Sequence, residues 1–160
     1  MQSVSASRRI YASPEKIWPL IADVREIAHW HFNLASVDLL THEATGIGAA
    51  RRCNFHDGTS VREDVVAADE NRKLRVELSE FSVPMKHLEL EIALQDKSGG
   101  VTEVVMTLRY VMKFGSLGKV LGATAVRKQL TVVVGKLLAG LDHHVTTGQD
   151  VGRTFFSKAA

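Results

Sequence analysis

The apolar residues of this chain change their period once, and that change limits the folds open to it. From about residue 35 to residue 113 they recur at every second position, whereas from Gly115 to about Val145 they recur with helical spacing. The period-two part divides at turn-forming residues into six predicted strands, 35–43, 48–56, 60–68, 73–81, 86–95 and 101–113. Residues 2–11 read as an earlier strand, so we expect seven strands followed by one long helix.

The later strands indicate which side of the sheet is covered. Apolar residues of one parity alternate with polar ones, which suits antiparallel strands with one covered face and one face in water. The predicted inner face comprises Leu88, Leu90, Ile92, Leu94, Val104, Met106, Leu108, Tyr110 and Met112. The apolar stripe of the long helix comprises Leu130, Val133, Val134, Leu137, Leu138 and Leu141.

Two short helices are predicted between the first two strands. Ser13-Pro14-Glu15 is typical of a helix start, with a serine cap, proline at the first helical position and an acid in the first turn. The stretch from Asp23 to Glu26 has the spacing of a capping box and predicts a second helix that ends at Trp30.

These elements predict an α+β fold in which a curved, seven-stranded antiparallel sheet surrounds the C-terminal helix. One helix cannot cover both faces of such a sheet, so the sheet should bend around it while the short helices close one end. A hollow that one helix fills incompletely favours a cavity for an apolar ligand. We assign residues 1–145 to this single domain and expect 146–160, which lack a clear period, to be loosely ordered.

Composition narrows the function classes. A formal net charge of +2 over 160 residues gives no indication of a nucleic-acid surface. The sequence has no apolar run of about 18 residues, so no integral membrane association is predicted. One cysteine, Cys53, rules out an internal disulfide, and no secretory pattern opens the sequence, so we expect a cytoplasmic protein.

The order of several short motifs resembles that of the START/birch-pollen-allergen superfamily (SRPBCC), and within it the bacterial polyketide cyclase/dehydrase-like group. The motifs are residues 12–18, Ala22-Asp23 leading to Trp30-His31, 46–51, Asp57-Gly58 followed by Glu63, 115–118 and 138–141. The resemblance covers residues 2 to 145 and implies a helix-grip fold. It also implies a function among the cyclases, dehydratases and lipid or hormone binders of that group. The chain departs from the group's pattern at Phe32, where proline is frequent, and at Val76, where an aromatic residue is frequent.

Arg51 and Glu63 are the most informative polar residues. Each shares parity with apolar neighbours of its strand, so both are predicted to face the cavity. A two-residue loop at Asp57-Gly58 would place Arg51 opposite Asp64 and mix the faces. A three-residue loop with Gly58 left-handed places Arg51 opposite Glu63 and keeps the apolar residues together, so we favour that register. The pair is then a buried ion bridge, either structural or able to bind and protonate a ligand.

Several further residues are candidates for the site. His31 is a candidate acid or base because its reference pKa is near neutrality, although a surface histidine beside a packed Trp30 is the alternative. Tyr110 and Met106 are expected to line the wall, and Cys53 to be an inert buried thiol. The predicted ligand-lining residues are Trp30, Cys53, Val65, Val76, Leu90, Met106, Tyr110 and Val133. No metal site or cofactor is predicted, because the histidine spacings fit no strong zinc motif.

Three functions follow from these predictions. The first is binding of a hydrophobic or aromatic small molecule in an internal cavity. The alternative is a cyclase- or dehydratase-like enzyme in which Arg51 holds a carbonyl or carboxylate group while Glu63 or His31 moves protons. The third is an assembly protein, such as a homodimer. The glycine-rich segment 113–121 is interpreted as a strand-to-helix corner, with a gate or a membrane-touching lip as its functional alternative.

Overall fold

Seven strands form one antiparallel sheet that packs against a long C-terminal helix. The computed structural model describes residues 1–113 and 121–157. The elements are β1 (Gln2–Ile10), α1 (Pro14–Ala22), α2 (Ile27–Trp30), β2 (Leu34–Leu39), β3 (Ala50–Phe55), β4 (Ser60–Asp69), β5 (Lys73–Ser79), β6 (Met85–Asp96), β7 (Thr102–Met112) and α3 (Leu121–Thr147). This is the helix-grip arrangement that the sequence predicts.

The order of strands across the sheet is β1-β7-β6-β5-β4-β3-β2, so the first strand pairs with the last and not with the second. Gln2 lies opposite Tyr110 and Ile10 opposite Thr102. The two short helices connect β1 at one edge of the sheet to β2 at the other.

The second strand is shorter than predicted and ends at Leu39, not at residue 43. The amide of Ala50 donates to the side-chain hydroxyl of Thr41 at 2.9 Å, where a longer strand would offer a backbone carbonyl. The following loop contains Gly46 and Gly48, both at positive φ. These contacts end the ladder early because a side chain takes over a main-chain role.

The first short helix starts where predicted, with Pro14 at its first position and Glu15 in its first turn, whereas the second starts later than predicted. Ser13 is the N-cap residue of α1, but its side chain makes no capping hydrogen bond. The predicted capping box at Asp23 does not form. The Asp23 carboxylate instead accepts the amide of Arg25 at 2.9 Å and pairs with its guanidinium, which makes a turn, so α2 begins at Ile27.

The long helix is buried most deeply toward its C-terminal end. Val134, Leu137, Leu138 and Leu141 are buried, whereas Leu130 and Val133 in the preceding turn are half-buried. Among its neighbours in the sheet, α3 contacts β1 most extensively. The segment proposed as a corner or gate falls mainly on residues 114–120, which lie outside the described residues.

Beyond α3 the chain turns back toward α2. Val151 is buried and its amide donates to the carbonyl of His29 at 2.8 Å. A domain boundary at 145 and a loosely ordered 146–160 stay predictions. Within the two described ranges, no helix has both the length and the apolarity that a membrane crossing requires.

Candidate functional site

The β3–β4 hairpin places Arg51 directly opposite Glu63. Its loop has three residues, because the amide of Phe55 donates to the carbonyl of Thr59 at 2.9 Å and Gly58 has a φ of 84°. The three-residue loop predicted from the apolar pattern is therefore confirmed.

Both charged side chains are almost fully enclosed, with exposed fractions of 4% for Arg51 and 7% for Glu63. Nε of Arg51 donates to Oε2 of Glu63 at 2.7 Å, and Nη2 donates to the same oxygen. Burial opposes the charge on Arg51, but the Glu63 carboxylate outweighs that cost and the pKa of Arg51 is raised. The guanidinium is a permanent cation inside an apolar wall.

The third contact of Arg51 joins the sheet to the helical connection. Its Nη1 donates to the carbonyl of Val24 at 3.0 Å. Val24 lies in the turn between α1 and α2, so one side chain fixes this turn against β3. Nothing in the sequence pattern identifies Val24 as a partner, because a backbone carbonyl has no residue-type signature.

Cys53 lies two residues after Arg51 on the same face of β3 and is fully buried. Burial, assisted by the negative charge of Glu63, raises the pKa of this thiol to about 12. The thiol of Cys53 is therefore protonated and neutral near pH 7, as the prediction of an inert buried thiol requires.

His31 is half-buried between the end of α2 and the start of β2, where the charges of Glu63 and Arg51 act on it. Burial lowers its pKa to about 4, with Glu63 opposing the shift and Arg51 adding to it. The amide of Asn33 donates to Nδ1 of His31 at 3.1 Å, so the neutral ring carries its proton on Nε2. At neutral pH His31 can therefore donate a hydrogen bond from Nε2, and its role as an acid or base stays a prediction.

A small enclosed space adjoins the ion pair. It has no room for a water molecule, and it is lined by Ile21, Val24, Arg51, Glu63, Val65, Leu74 and Val76. Ligand pockets usually measure about 300–1,000 Å³. A ligand at this position therefore needs the surrounding side chains to move apart.

The structure brings some of the predicted lining residues together and separates others. Val65 and Val76 border the enclosed space beside Arg51 and Glu63. Trp30 is buried and its Nε1 donates to the carbonyl of Leu20 at 2.8 Å, as expected for a packed plug. Cys53, Leu90, Met106 and Tyr110 are also buried, and Val133 is half-buried on α3.

Tyr110 lines a different space from the one beside Arg51 and Glu63. It lines an open recess of about 380 Å³ together with Gln2, Ser3, Thr124 and Arg127. Ile21 and Leu74, which the sequence did not select, border the enclosed space instead. Their signal was available, because each lies on the buried parity of its own element. In the described ranges, no group of three or more His, Cys, Asp and Glu side chains is arranged to hold a metal ion.

A family model described as polyketide cyclase / dehydrase and lipid transport matches residues 1–146. The chain belongs to this family, and its fold is of the START/birch-allergen ligand-binding type. A search of curated protein sequences gives no match.

Solved structures agree with this fold. TTHA0849 from Thermus thermophilus is 27% identical, with a TM-score of 0.73 over 92% of this chain and 99% of its own. A START superfamily protein from Mycobacterium smegmatis is 16% identical, with a TM-score of 0.75 over 92% and 99% of the two chains. The di-domain ARO/CYC protein BexL is 13% identical, with a TM-score of 0.76, and the match covers 91% of this chain and 47% of BexL.

Proposed function

We propose that this protein binds a hydrophobic or aromatic small molecule in its interior, between the sheet and the α1–α2 connection, with a polar group of the ligand facing Arg51 and Glu63. The observation that carries the proposal is a buried ion pair beside an apolar enclosed space. A carbonyl, hydroxyl or carboxylate group on a ligand would find both a cation and an acceptor there, while the rest of the ligand contacts aliphatic walls.

Binding at this position requires the enclosed space to expand. Its described lining comes from α1, the turn after α1, and strands β3, β4 and β5. A ligand there must therefore displace side chains of the α1–α2 connection or of these strands.

The decisive experiment is native mass spectrometry of the purified protein, followed by denaturation and identification of what is released. A released apolar or aromatic molecule near one equivalent per chain is expected. If the protein is empty, a fluorescence screen of such molecules against wild type and Arg51→Met follows. No saturable binding to wild type in that screen would contradict the proposal.

A second candidate is a cyclase- or dehydratase-like reaction. It is favoured because the charges of Glu63 and Arg51 both act on His31, so the three side chains lie in one region. Neutral His31 would donate from Nε2 to a substrate carbonyl, Glu63 would accept a proton from the adjacent carbon, and Arg51 would hold the developing negative charge. Turnover of a poly-β-ketone substrate should fall in both Glu63→Gln and His31→Ala. Unchanged turnover in both variants would exclude this mechanism.

The proposal also covers the oligomeric state of the protein, with a homodimer as the candidate, and its location in the cell. A homodimer is tested by light scattering across a concentration series with and without ligand, and a monomer throughout would exclude it. The single buried thiol suits a reducing, cytoplasmic location, and the net charge of +2 gives no indication of a nucleic-acid surface.

A further inference from the structure

The segment from residue 148 to residue 157, called the strap below, packs where α2 meets α3. Its residue Val151 is buried, and the Val151 amide donates to the carbonyl of His29 at 2.8 Å. A side-chain carbon added at Gly140 of α3 would lie 3.6 Å from Val151. The strap therefore has one apolar anchor held between the two helices.

A polar anchor lies beside it. The carboxylate of Asp150 accepts a hydrogen bond from Nδ1 of His29 at 2.9 Å. The ring of His29 stacks on that of His144 at 5.3 Å, and Nδ1 of His144 donates to the carbonyl of Gln149 at 2.9 Å. These contacts fix the first half of the strap.

The second half of the strap contacts Phe32, the residue next to His31. Phe156 meets the ring of Phe32 edge-on at 5.7 Å, and Phe32 in turn stacks on His31 at 5.1 Å. The ammonium group of Lys136 lies 5.3 Å from the centroid of Phe32 and 5.2 Å from that of Phe156. The ring of Phe155 lies 4.7 Å from that of His143 and 4.8 Å from that of Phe156. The described hydrogen bonds of this half stay within the strap, so only ring and cation–π contacts hold it to the domain, more weakly than the first half is held.

Two further observations separate the strap from the domain it covers. It contains neither helix nor strand, and it begins at Gly148 with a φ of 69°. It also lies beyond residue 146, where the family match ends. A weakly held cover on an otherwise complete fold is suited to moving while the domain stays folded.

We propose that the strap gates the His31 end of the interior, and that release of Phe156 from Phe32 and Lys136 opens a path for the ligand beside Phe32. The inference rests on the proposed function, because it assigns the entry route to the same site. The Val151 and Asp150 anchors stay in place and act as the hinge side. The aromatic contact is the side that opens.

The test compares two full-length variants of the strap. Phe156→Ala removes the contact with Phe32 and Lys136, whereas Arg153→Ala changes an exposed residue of the same strap and serves as the control. In stopped-flow mixing with the hydrophobic dye anilinonaphthalene sulfonate, Phe156→Ala should raise both association and dissociation rates by about tenfold. The Kd should change by less than about threefold, because a gate alters rates more than equilibria.

A ligand-free measurement separates the gate from the binding site. In an NMR titration of full-length protein, the His31 ring of Phe156→Ala should gain access to water, and its pKa should rise from about 4 toward 6.5. Glu63 and Arg51 face the ring in both forms and exert the same charge effects. Arg153→Ala should titrate like wild type.

The outcomes are distinct. Faster exchange of dye together with a raised His31 pKa supports the strap as a gate. Unchanged rates and an unchanged titration in Phe156→Ala overturn it and leave ligand binding intact. If the dye binds no form of the protein, the proposed function is contradicted for this probe. The His31 titration then still decides whether the strap shields that end of the interior.

Discussion

At the scale of single residues, either member of the Arg51–Glu63 pair would destabilise the folded protein if the other were absent. A buried ion whose partner is removed keeps its desolvation cost and loses its compensation. The pair also depends on Val24, because one guanidinium donor is satisfied by that carbonyl. Removal of either charge should therefore weaken the junction between the helical connection and β3.

Glu63→Gln is expected to lower the free energy of unfolding by about 3–5 kcal/mol, since it leaves Arg51 charged and unpaired by a carboxylate. The double variant Arg51→Met/Glu63→Leu should recover most of that loss, although the unpaired carbonyl of Val24 costs about 1–3 kcal/mol. Urea denaturation of the single and double variants measures both effects. A double variant less stable than Glu63→Gln would show that the pair is not held by mutual compensation.

At the scale of elements, α2 and α3 cross at a point that admits no side chain. A Cβ atom added at Gly140 would lie 2.2 Å from the carbonyl oxygen of Trp30, a backbone atom that cannot rotate away. Small residues at such crossings set how closely two helices approach. The position of Trp30 over the interior, and of the strap against both helices, depends on this approach.

Gly140→Ala should destabilise the protein by about 1–3 kcal/mol or more, because the helices must separate to relieve the overlap. Gly135→Ala in the same helix is the matched control, since a Cβ atom there meets nothing within 4 Å. That change should stabilise the helix by about 0.5–1 kcal/mol through its higher helix propensity. Thermal unfolding followed by circular dichroism compares them, and equal midpoints would refute the close crossing.

The sequence predicted elements better than it predicted junctions. The period and parity of the apolar residues predicted all seven strands and the long helix. The parity of the apolar residues in β3 and β4 also predicted the three-residue loop of their hairpin. These features repeat along the chain, so local patterns record them. The predicted start of α2 is wrong because the spacing of Asp23 and Glu26 is compatible with a capping box whether or not one forms. The competing contact of Asp23 with Arg25 decided the structure.

Properties that depend on contacts between segments distant in sequence cannot be predicted from local sequence patterns. The low pKa of His31 depends on burial by parts of the chain that are remote in sequence, and the contact of Val151 with His29 joins the end of the chain to α2. The sequence therefore indicated which residues to suspect but not their protonation. It also favoured a hollow interior, whereas the enclosed space beside Arg51 and Glu63 is too small for a water molecule.

At the scale of the whole molecule, His31 links folding to pH. Its pKa is about 4 in the folded protein, against the ordinary histidine value of 6.5 in an unfolded chain. Because the folded pKa is the lower one, the contribution of His31 to stability is complete above about pH 6.5. It is lost as the pH falls toward 4, where the unfolded state binds a proton that the folded state does not.

The free energy of unfolding should therefore fall between pH 7 and pH 4 by up to about 3 kcal/mol on account of this residue. His31→Gln should flatten this part of the profile, and His42→Gln should not, because the His42 side chain is 98% exposed. Urea denaturation at half-unit pH intervals measures the slope. A wild-type profile as flat as that of His31→Gln would mean that His31 titrates normally in the folded state.

The pairing of β1 with β7 has a consequence for the growing polypeptide. Gln2 is synthesised before its partner Tyr110, and five other strands lie between them in the sequence. Until Tyr110 is synthesised, β1 has no neighbouring strand and its apolar face has no α3 to cover it. Nascent chains that stop before Thr102 therefore present a free strand to other chains, so slow translation of the middle strands should make this protein depend on chaperones.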